Sequence, residues 1–327
     1  MKKYFIYKSD HFFINELLFE YRLRSFILIT VSLMIAGCSP PTDREEIRLG
    51  TAALGGAYYP LGQGLSGLVS QDMDGVFMVP IVTRGAVENP RLIDRGDMEL
   101  ALTNADLAYF AYAGQNPYQE PLDILAAGIL HPSVLHLISR ADNGITSFEQ
   151  LKGRRIALGA AGGPTVSLAR LLLEAHGMSL EDIVPSFLSY SDGFSQLGDG
   201  NVDAAFALAG FPAAGVLQTR ATQELSFIQI DTEIMNRFVE NNPYYYLVNM
   251  SKEVYDTKNG STLLAVPNIL IVSGSASSEF VFEIVKSIYG NLQQLQTTNA
   301  IANQIDPTQL GLLPIPLHPG ASQYFMR

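Results

Sequence analysis

The chain has 327 residues, 47% of them hydrophobic and 16% charged, with a formal net charge of −11 at pH 7. This composition excludes a largely disordered chain, and at about 100–200 residues per domain the length predicts two domains or two lobes. The acidic balance argues against nucleic acid as a partner, because a nucleic-acid groove needs clustered Lys and Arg.

The sequence contains few residues that could bind a metal or carry out thiol chemistry. Its single Cys can build neither a disulfide framework nor a thiolate metal site. Its five His residues show no HxxxH or HExxH spacing. We therefore expect no metal and no other cofactor.

The N-terminus has the features of a bacterial lipoprotein signal. Two Arg residues precede the apolar run 26–37, which is too short to span a bilayer of about 30 Å. The run ends in MIAGC, which resembles a lipobox, in which the Cys carries diacylglycerol. A buried structural Cys is the alternative for Cys38. We expect a signal peptide at 1–37, a tether at 38–45, and a periplasmic or cell-surface protein held at the membrane by a lipid on Cys38.

Beyond the tether, short apolar runs alternate with helical periods. Strands are predicted at 47–53, 77–83, 98–102, 155–159, 184–188 and 202–208. Helices are predicted from Pro60, at 86–95, 105–113 and 164–177, and in a segment that ends at Leu197. This alternation favours an α/β fold with a mostly parallel sheet.

A weak internal repeat indicates two similar lobes. The segments 96–101 and 200–205 both read Gly-x-x-acid-x-Ala, and each follows a helix and enters a strand. The apolar segments 131–140 and 244–250 are predicted to cross between the lobes as a hinge, and 279–297 to form a long helix. The predicted lobes are 46–133 plus 250–327, and 134–249.

Gly-rich loops between strands and helices are the first candidates for ligand contact. Ligands of open α/β sheets bind at the carboxyl ends of the strands, and a helix N-terminus presents free N–H groups to an anion. The loop GTAALGGAYYP at 50–60 fits no nucleotide motif, and a tight turn with core tyrosines is its alternative. Its candidate residues are Thr51, Leu54, Gly55, Gly56, Tyr58 and Tyr59.

Further candidates follow the later strands. Arg84 could form a bidentate pair with a carboxylate or remain a solvated surface residue. Asn104 could cap the next helix or face the cleft, and Thr165 could be a helix cap, a ligand donor or both. The remaining candidates are Gly85, Asn89, Gly163, Gly210 and Pro212. No GxSxG motif occurs and no His lies in these loops, so binding is expected rather than catalysis.

Six motifs in order resemble the TAXI family, the solute-binding proteins of tripartite ATP-independent periplasmic (TRAP) transporters. They are GTxxxGGxYYP at 50–60, TxGxVEN at 83–89, GDxELA at 96–101, GRRIALG at 153–159, DAAF with AGxP at 203–212, and HPGA at 318–321. The similarity covers 46–324. It implies a type II periplasmic-binding-protein fold with two α/β lobes, a two-crossing hinge and a central ligand cleft. It also implies a monomer that closes on a small carboxylate, such as glutamate or a 2-oxoacid, and delivers it to the membrane subunits of a cation-driven TRAP permease.

The first loop departs from the family pattern. Ala52, Ala53 and Leu54 stand where the family usually has Gly, Gly and Thr, and Ala86 stands where Ser is common. These changes predict a less polar cleft, and hence a less polar monocarboxylate anchored by Arg84. Two alternatives remain: a receptor subunit of a membrane sensor, and an ABC-type binding protein of the thiamine-precursor or sulfonate type.

Overall fold

The computed structural model describes residues 44–52, 56–257 and 260–326. The chain divides into two units, residues 1–45 and 46–327, and only Arg44 and Glu45 of the first unit are described. The signal segment and Cys38 therefore lie outside the described residues, as do Leu54 and Gly55.

One mixed sheet runs through the second unit. Its strands are β1 (Glu45–Gly50), β2 (Val76–Ile81), β3 (Leu100–Asn104), β4 (Ile124–Arg140), β5 (Arg155–Ala157), β6 (Val184–Ser186), β7 (Ala204–Ala209), β8 (Leu225–Phe227), β9 (Tyr246–Met250) and β10 (Ser261–Ser273). The order across the sheet is β2-β1-β3-β10-β4-β7-β5-β6, with β8 paired to β4 and β9 paired to β10.

Helices cover this sheet. The α-helices are α1 (Tyr58–Asp72), α2 (Asn89–Asp94), α3 (Ala105–Ala113), α4 (Pro164–Ala175), α5 (Tyr190–Gly198), α6 (Ala214–Arg220), α7 (Thr232–Asn241), α8 (Ser278–Gly290), α9 (Leu292–Thr298) and α10 (Pro319–Phe325). Short 3₁₀ helices occupy Ala141–Asn143, Phe148–Leu151, Leu180–Asp182, Lys252–Val254, Ala300–Gln304 and Pro307–Leu312. No helix in the described ranges combines the length and the apolar character that crossing a membrane requires.

The strand order is symmetric about its centre. We call β2-β1-β3 the first sheet half and β7-β5-β6 the second sheet half. β1 is parallel to β3, and β5 is parallel to both β6 and β7, as the alternating strands and helices predict. Between the halves lie β4 and β10, which are antiparallel to each other and to their outer neighbours β7 and β3.

The two central strands are long because they are buried on both faces. No residue of β4 is exposed, and residues 263–272 of β10 are all buried. Their near-continuous apolar runs are typical of strands covered on both sides. Pro132 and Pro267 lie opposite each other where the pairing register shifts. The register shifts directly after Pro267, so the ladder between the two strands is irregular at the level of the two prolines.

The sequence repeat Gly-x-x-acid-x-Ala forms the same contact in both sheet halves. Arg48 Nη2 donates to Glu99 Oε1 at 2.6 Å and to the carbonyl of the Gly that opens the repeat. Arg155 Nη2 donates to Asp203 Oδ1 at 2.7 Å and to the equivalent Gly carbonyl. In each half, an Arg on one strand thereby fixes the start of its parallel neighbour.

One predicted crossing strand is wrong. Residues 246–250 form β9, a short strand that pairs only with residues 261–265 of β10. The second long central strand is β10, which pairs with β3 and β4. Its apolar run is broken by Pro267 and Asn268, which read as turn residues in the sequence.

The long C-terminal helix is also wrong in extent. The predicted helix 279–297 is two helices, α8 and α9, which meet at Asn291. Asn291 has φ −112° and ψ 19°, outside the helical region, and it follows Gly290. Gly and Asn are both poor helix formers, which explains the break. The predicted strands 47–53 and 155–159 end early, at Gly50 and Ala157.

Asn89 joins the strand ends of the first sheet half. It is fully buried at the start of α2. Its Nδ2 donates to the carbonyls of Thr51 at 2.8 Å and Leu102 at 2.6 Å, and more weakly to that of Gly50. Its Oδ1 accepts from Thr83 Oγ1 at 2.7 Å. A single side chain therefore holds the end of β1 against the end of β3 and the segment after β2.

Replacing this side chain should destabilise the fold. Asn89→Ala removes the side-chain donor to the Thr51 and Leu102 carbonyls and one acceptor for the Thr83 hydroxyl, and a buried polar group left unsatisfied costs on the order of 1–3 kcal/mol. We expect a loss of about 2–4 kcal/mol in the free energy of unfolding, measured by urea denaturation. Asn201→Ala is the matched control, because its amide makes one exposed hydrogen bond to Gln196, and it should change stability by under about 0.5 kcal/mol. Equal midpoints for the two variants would contradict the role of Asn89.

Candidate functional site

A buried polar cluster lies where the central strands pass between the sheet halves. Asn268 Oδ1 accepts from Tyr58 OH at 2.6 Å and from Asn104 Nδ2 at 2.8 Å. Asn268 Nδ2 donates to the His131 carbonyl at 2.7 Å and to Ser133 Oγ at 2.9 Å. All five residues are buried. We call them the central polar cluster.

Local structure places each member of the cluster. Tyr58 is the first residue of α1, and Asn104 is the last residue of β3. The Asn104 side chain makes no capping bond to α3, although it occupies the N-cap position, so its amide is available to Asn268. His131 and Asn268 each neighbour one of the opposed prolines of β4 and β10. The cluster therefore forms at the level where the backbone ladder is interrupted.

His131 is the member with unused hydrogen-bonding capacity. Its ring is fully buried, and neither ring nitrogen has a partner among the described residues. Burial lowers the pKa of His131 to about 4, so the imidazole is neutral near pH 7. A neutral imidazole offers one donor and one acceptor. Its ring meets the Tyr58 ring edge-on, with centroids 6.4 Å apart.

Tyr190, which belongs to the part of the chain that forms the second sheet half, acts electrostatically on Tyr58 of the central polar cluster. Burial raises the pKa of Tyr58 well above its ordinary value, and the neighbouring groups Asp106, Tyr190 and Tyr118 raise it further. Tyr190 begins α5 and is hydrogen-bonded to Thr165 Oγ1 in the first turn of α4. Tyr190 is thus within electrostatic range of Tyr58, and its hydrogen-bond partner is Thr165.

The predicted residues of the first loops form a second network beside this cluster. Thr51 is fully buried, and its N–H and Oγ1 both donate to the Ile81 carbonyl. Its own carbonyl accepts from Thr83 and Asn89. Gly85 has φ +90°, and a Cβ there would lie 3.3 Å from the Ala52 side chain. The structure thus brings Thr51, Gly85 and Asn89 together, but Thr51 Oγ1 and Asn89 Nδ2 donate to backbone carbonyls, and Asn89 Oδ1 accepts from Thr83.

Arg84 and the remaining first-loop candidates lie further out. The Arg84 side chain is 91% exposed, and its Nε lies 3.6 Å from Glu88 Oε1. Gly56 is exposed and Tyr59 is half-buried. None of these three belongs to the central polar cluster, and their role in ligand contact stays a prediction.

The candidates of the second sheet half differ in their distance from the cluster. Gly210 lies beside the cluster, because the closest atom to a Cβ placed there is His131 Cδ2 at 3.8 Å. Gly163 is the N-cap residue of α4 and makes no side-chain cap. Thr165 is buried against Tyr190, whereas Pro212 is exposed.

Sequence reasoning missed several polar residues of this region. They are His131, Ser133, Tyr190 and Asn268, together with Tyr245, which is the partner of Asp106. A usable indication was present, because His, Ser and Asn interrupt otherwise apolar strands, and a polar side chain in a buried strand needs a partner.

The chemistry available at this site is that of neutral donors and acceptors. The buried polar residues of the described ranges are hydroxyls, amides, His residues and one carboxylate, Asp106, with no Lys or Arg. Within the same ranges, no group of three or more His, Cys, Asp or Glu could hold a metal ion. Ser133 is paired with Asn268 and not with a base. The arrangement can bind and orient a small polar molecule.

Several solved structures share this fold. PhnD1 from Prochlorococcus marinus, solved with methylphosphonate, is 12% identical, with 80% of this chain and 92% of that chain covered and a TM-score of 0.51. A structure from work on glutathione import via GshT and the cystine ABC importer TcyBC of Streptococcus mutans is 12% identical, covers 85% and 99%, and has a TM-score of 0.50. The periplasmic aliphatic sulphonate binding protein SsuA from Escherichia coli is 14% identical, covers 83% and 84%, and has a TM-score of 0.47. At these identities the likeness concerns the fold alone, and the two structures with TM-scores of 0.50 and 0.51 confirm the predicted α/β class and periplasmic-binding-protein fold.

Family membership rests on a match to the sequence itself. The model of the NMT1-like family matches residues 49–326, which include the central polar cluster, both sheet halves and both central strands. The match covers well over half of the chain. The chain therefore belongs to the NMT1-like family.

Proposed function

We propose that this protein is an extracytoplasmic solute-binding protein that captures a small molecule between two lobes and delivers it to a membrane transporter. The observation that carries the proposal is the central polar cluster. It is buried, it lies between the sheet halves, and the His131 ring has no partner of its own among the described residues. Buried polar groups are nearly always hydrogen-bonded, so an unpartnered one beside hydroxyl groups favours a bound solute.

The lobes expected from the sequence are 46–133 plus 250–327, and 134–249. Because the second central strand is β10, the boundary expected near residue 250 is placed instead at Pro267 in this proposal. Two strands connect them in the sheet, β4 and β10, with Pro132 opposite Pro267. A pair of strands interrupted at one level can bend there with little loss of ladder bonds. Hinge closure of this kind would bury the solute against the central polar cluster.

The proposed solute is a small carboxylate, and the proposed partner is a cation-coupled TRAP permease. The support is the resemblance to the TAXI family over 46–324 and the neutral donors of the cluster. Arg84 is the proposed carboxylate anchor, since its exposed guanidinium follows β2 closely and its one ion pair is with Glu88. The proposal includes a lipid on Cys38 that keeps the protein at the membrane.

An ABC-type importer is the second candidate for the partner. The observation that favours it is the shared fold with a structure tied to a cystine ABC importer and with the methylphosphonate complex of PhnD1. For such a protein the partner would include an ATPase, and the solute could be a phosphonate, a sulfonate or a disulfide-linked amino acid.

A thermal-shift panel on the purified full chain tests the binding function. The probes are L-glutamate, 2-oxoglutarate, pyruvate, methylphosphonate, ethanesulfonate and L-cystine. A probe at 100 times its Kd should stabilise the chain by about 2.7 kcal/mol, which corresponds to a rise of about 5 °C in Tm. A dose-dependent shift with a carboxylate supports the leading proposal. A shift confined to the phosphonate, sulfonate or cystine would favour the ABC candidate, and no shift with any probe would count against a small-solute binder.

Removing the proposed anchor should weaken carboxylate binding. Arg84→Ala deletes a charged hydrogen-bond donor, worth on the order of 1.5–3 kcal/mol, so the Kd for the best carboxylate should rise about 10- to 100-fold in isothermal titration calorimetry. Arg95→Ala is the matched control, because it also loses one exposed ion pair, to Asp97, and should bind normally. If both variants bound as tightly as the parent chain, the anchor would be wrong.

Lipid attachment can be tested separately from binding. When the full chain is expressed in a bacterium fed labelled palmitate, we expect label on the protein and protein in the membrane fraction. Cys38→Ser removes the only thiol and should abolish both. Label retained on the Cys38→Ser variant would exclude Cys38 as the anchor.

A further inference from the structure

Asp106 is a fully buried carboxylate outside the central polar cluster. It lies in the first turn of α3. Tyr245 OH donates to its Oδ2 at 2.6 Å, and its Oδ1 has no hydrogen-bond partner in the described part of the chain. Buried carboxylates are rare unless they are paired, so the single side-chain donor requires an explanation.

The bond between Asp106 and Tyr245 connects elements of different sheet halves. Asp106 lies just after β3 of the first half. Tyr245 follows α7, which packs against α4 of the second half. Aromatic rings pack along the same connection. The ring centroid of Tyr244 lies 5.2 Å from that of Tyr109 in α3, and the ring centroid of Tyr245 lies 5.3 Å from that of Phe238 in α7.

The groups that act on Asp106 provide no positive charge. They are the backbone N–H groups at the start of α3 and four phenols, Tyr58, Tyr118, Tyr244 and Tyr245. Burial raises the pKa of each phenol, so all four stay uncharged. The guanidinium beside these phenols is that of Arg91, which lies 4.4 Å above the Tyr118 ring and donates to backbone carbonyls.

Asp106 therefore holds a proton more readily than an exposed carboxyl group. Burial raises its pKa to about 6, although the Tyr245 hydroxyl and the backbone N–H groups lower it in part. The pKa of an exposed Asp is about 3.9. In any form of the molecule that exposes Asp106 to water, this group would be ionised at pH 5–7.

We infer that Asp106 and Tyr245 form a latch that joins the two lobes in the closed form and takes up a proton as it closes. The inference rests on the proposed function, because it requires lobes that open and close. The closed form binds the proton more tightly than the open form, so by linkage closure is favoured as pH falls through 6, and this advantage is lost as pH rises through 6. Between pH 7.5 and pH 5 the ratio of closed to open molecules should rise about tenfold.

The first test is the titration of Asp106 in the full chain without solute. Infrared difference spectra of the protonated carboxyl band, parent chain minus Asp106→Asn, should give a midpoint near pH 6. Tyr245→Phe should move that midpoint upward, because the lost hydroxyl stabilises the ionised form. A midpoint near 4, or no movement in Tyr245→Phe, would overturn the latch.

The second test measures closure by small-angle X-ray scattering of the same solute-free chain. The radius of gyration should be smaller at pH 5 than at pH 7.5 in the parent chain and independent of pH in Asp106→Asn. Asp97→Asn, an exposed carboxyl paired with Arg95, is the matched control and should behave like the parent. Closure that still depends on pH in Asp106→Asn, or that does not depend on pH in the parent, would overturn the latch. Neither test uses a solute, so a silent thermal-shift panel beside a working latch would refute only the solute proposal.

Discussion

The side-chain amide of Asn268 is the contact on which the middle of this molecule depends. The two central strands each carry a proline at the same level, and a proline contributes no N–H group to a ladder. Beside these prolines, Asn268 Nδ2 donates to the His131 carbonyl, and its Oδ1 accepts hydrogen bonds from the Tyr58 hydroxyl and the Asn104 amide. An interruption in the sheet is thus converted into a buried polar site.

The symmetric strand order is matched by the same contact in both halves. In each sheet half an Arg–carboxylate pair joins the middle strand to the start of its parallel neighbour. Arg48 of β1 pairs with Glu99 before β3, and Arg155 of β5 pairs with Asp203 before β7. These exposed pairs contribute little to stability individually, but they set the register of strands whose carboxyl ends carry the loops.

The fold was largely predictable from local patterns, because alternating apolar periods and glycine turns are local properties. Helix α3 was predicted at its observed bounds, and the Gly-x-x-acid-x-Ala repeat marked equivalent contacts. Strand β10 was missed because Pro267 and Asn268 resemble a turn, and only the pairing with β3 and β4 makes that stretch a strand. The functional site was harder to predict than the fold. Asn89 was predicted as a ligand contact, and its amide donates to strand-end carbonyls. Asn268 was missed, because a single polar residue in an apolar run indicates a buried partner only once the run is known to be a strand.

The late position of β10 also constrains how the chain can reach its folded state. Asn268 contacts Asn104 across 164 residues of sequence, and β10 fills the gap between β3 and β4. Until residues 261–273 have been synthesised and released, both of those strands present an unpaired edge, which is a template for aggregation. Loop closure over such separations is slow. A chain of this design must be kept from folding prematurely, and a nascent chain that still lacks β10 should depend on holding chaperones.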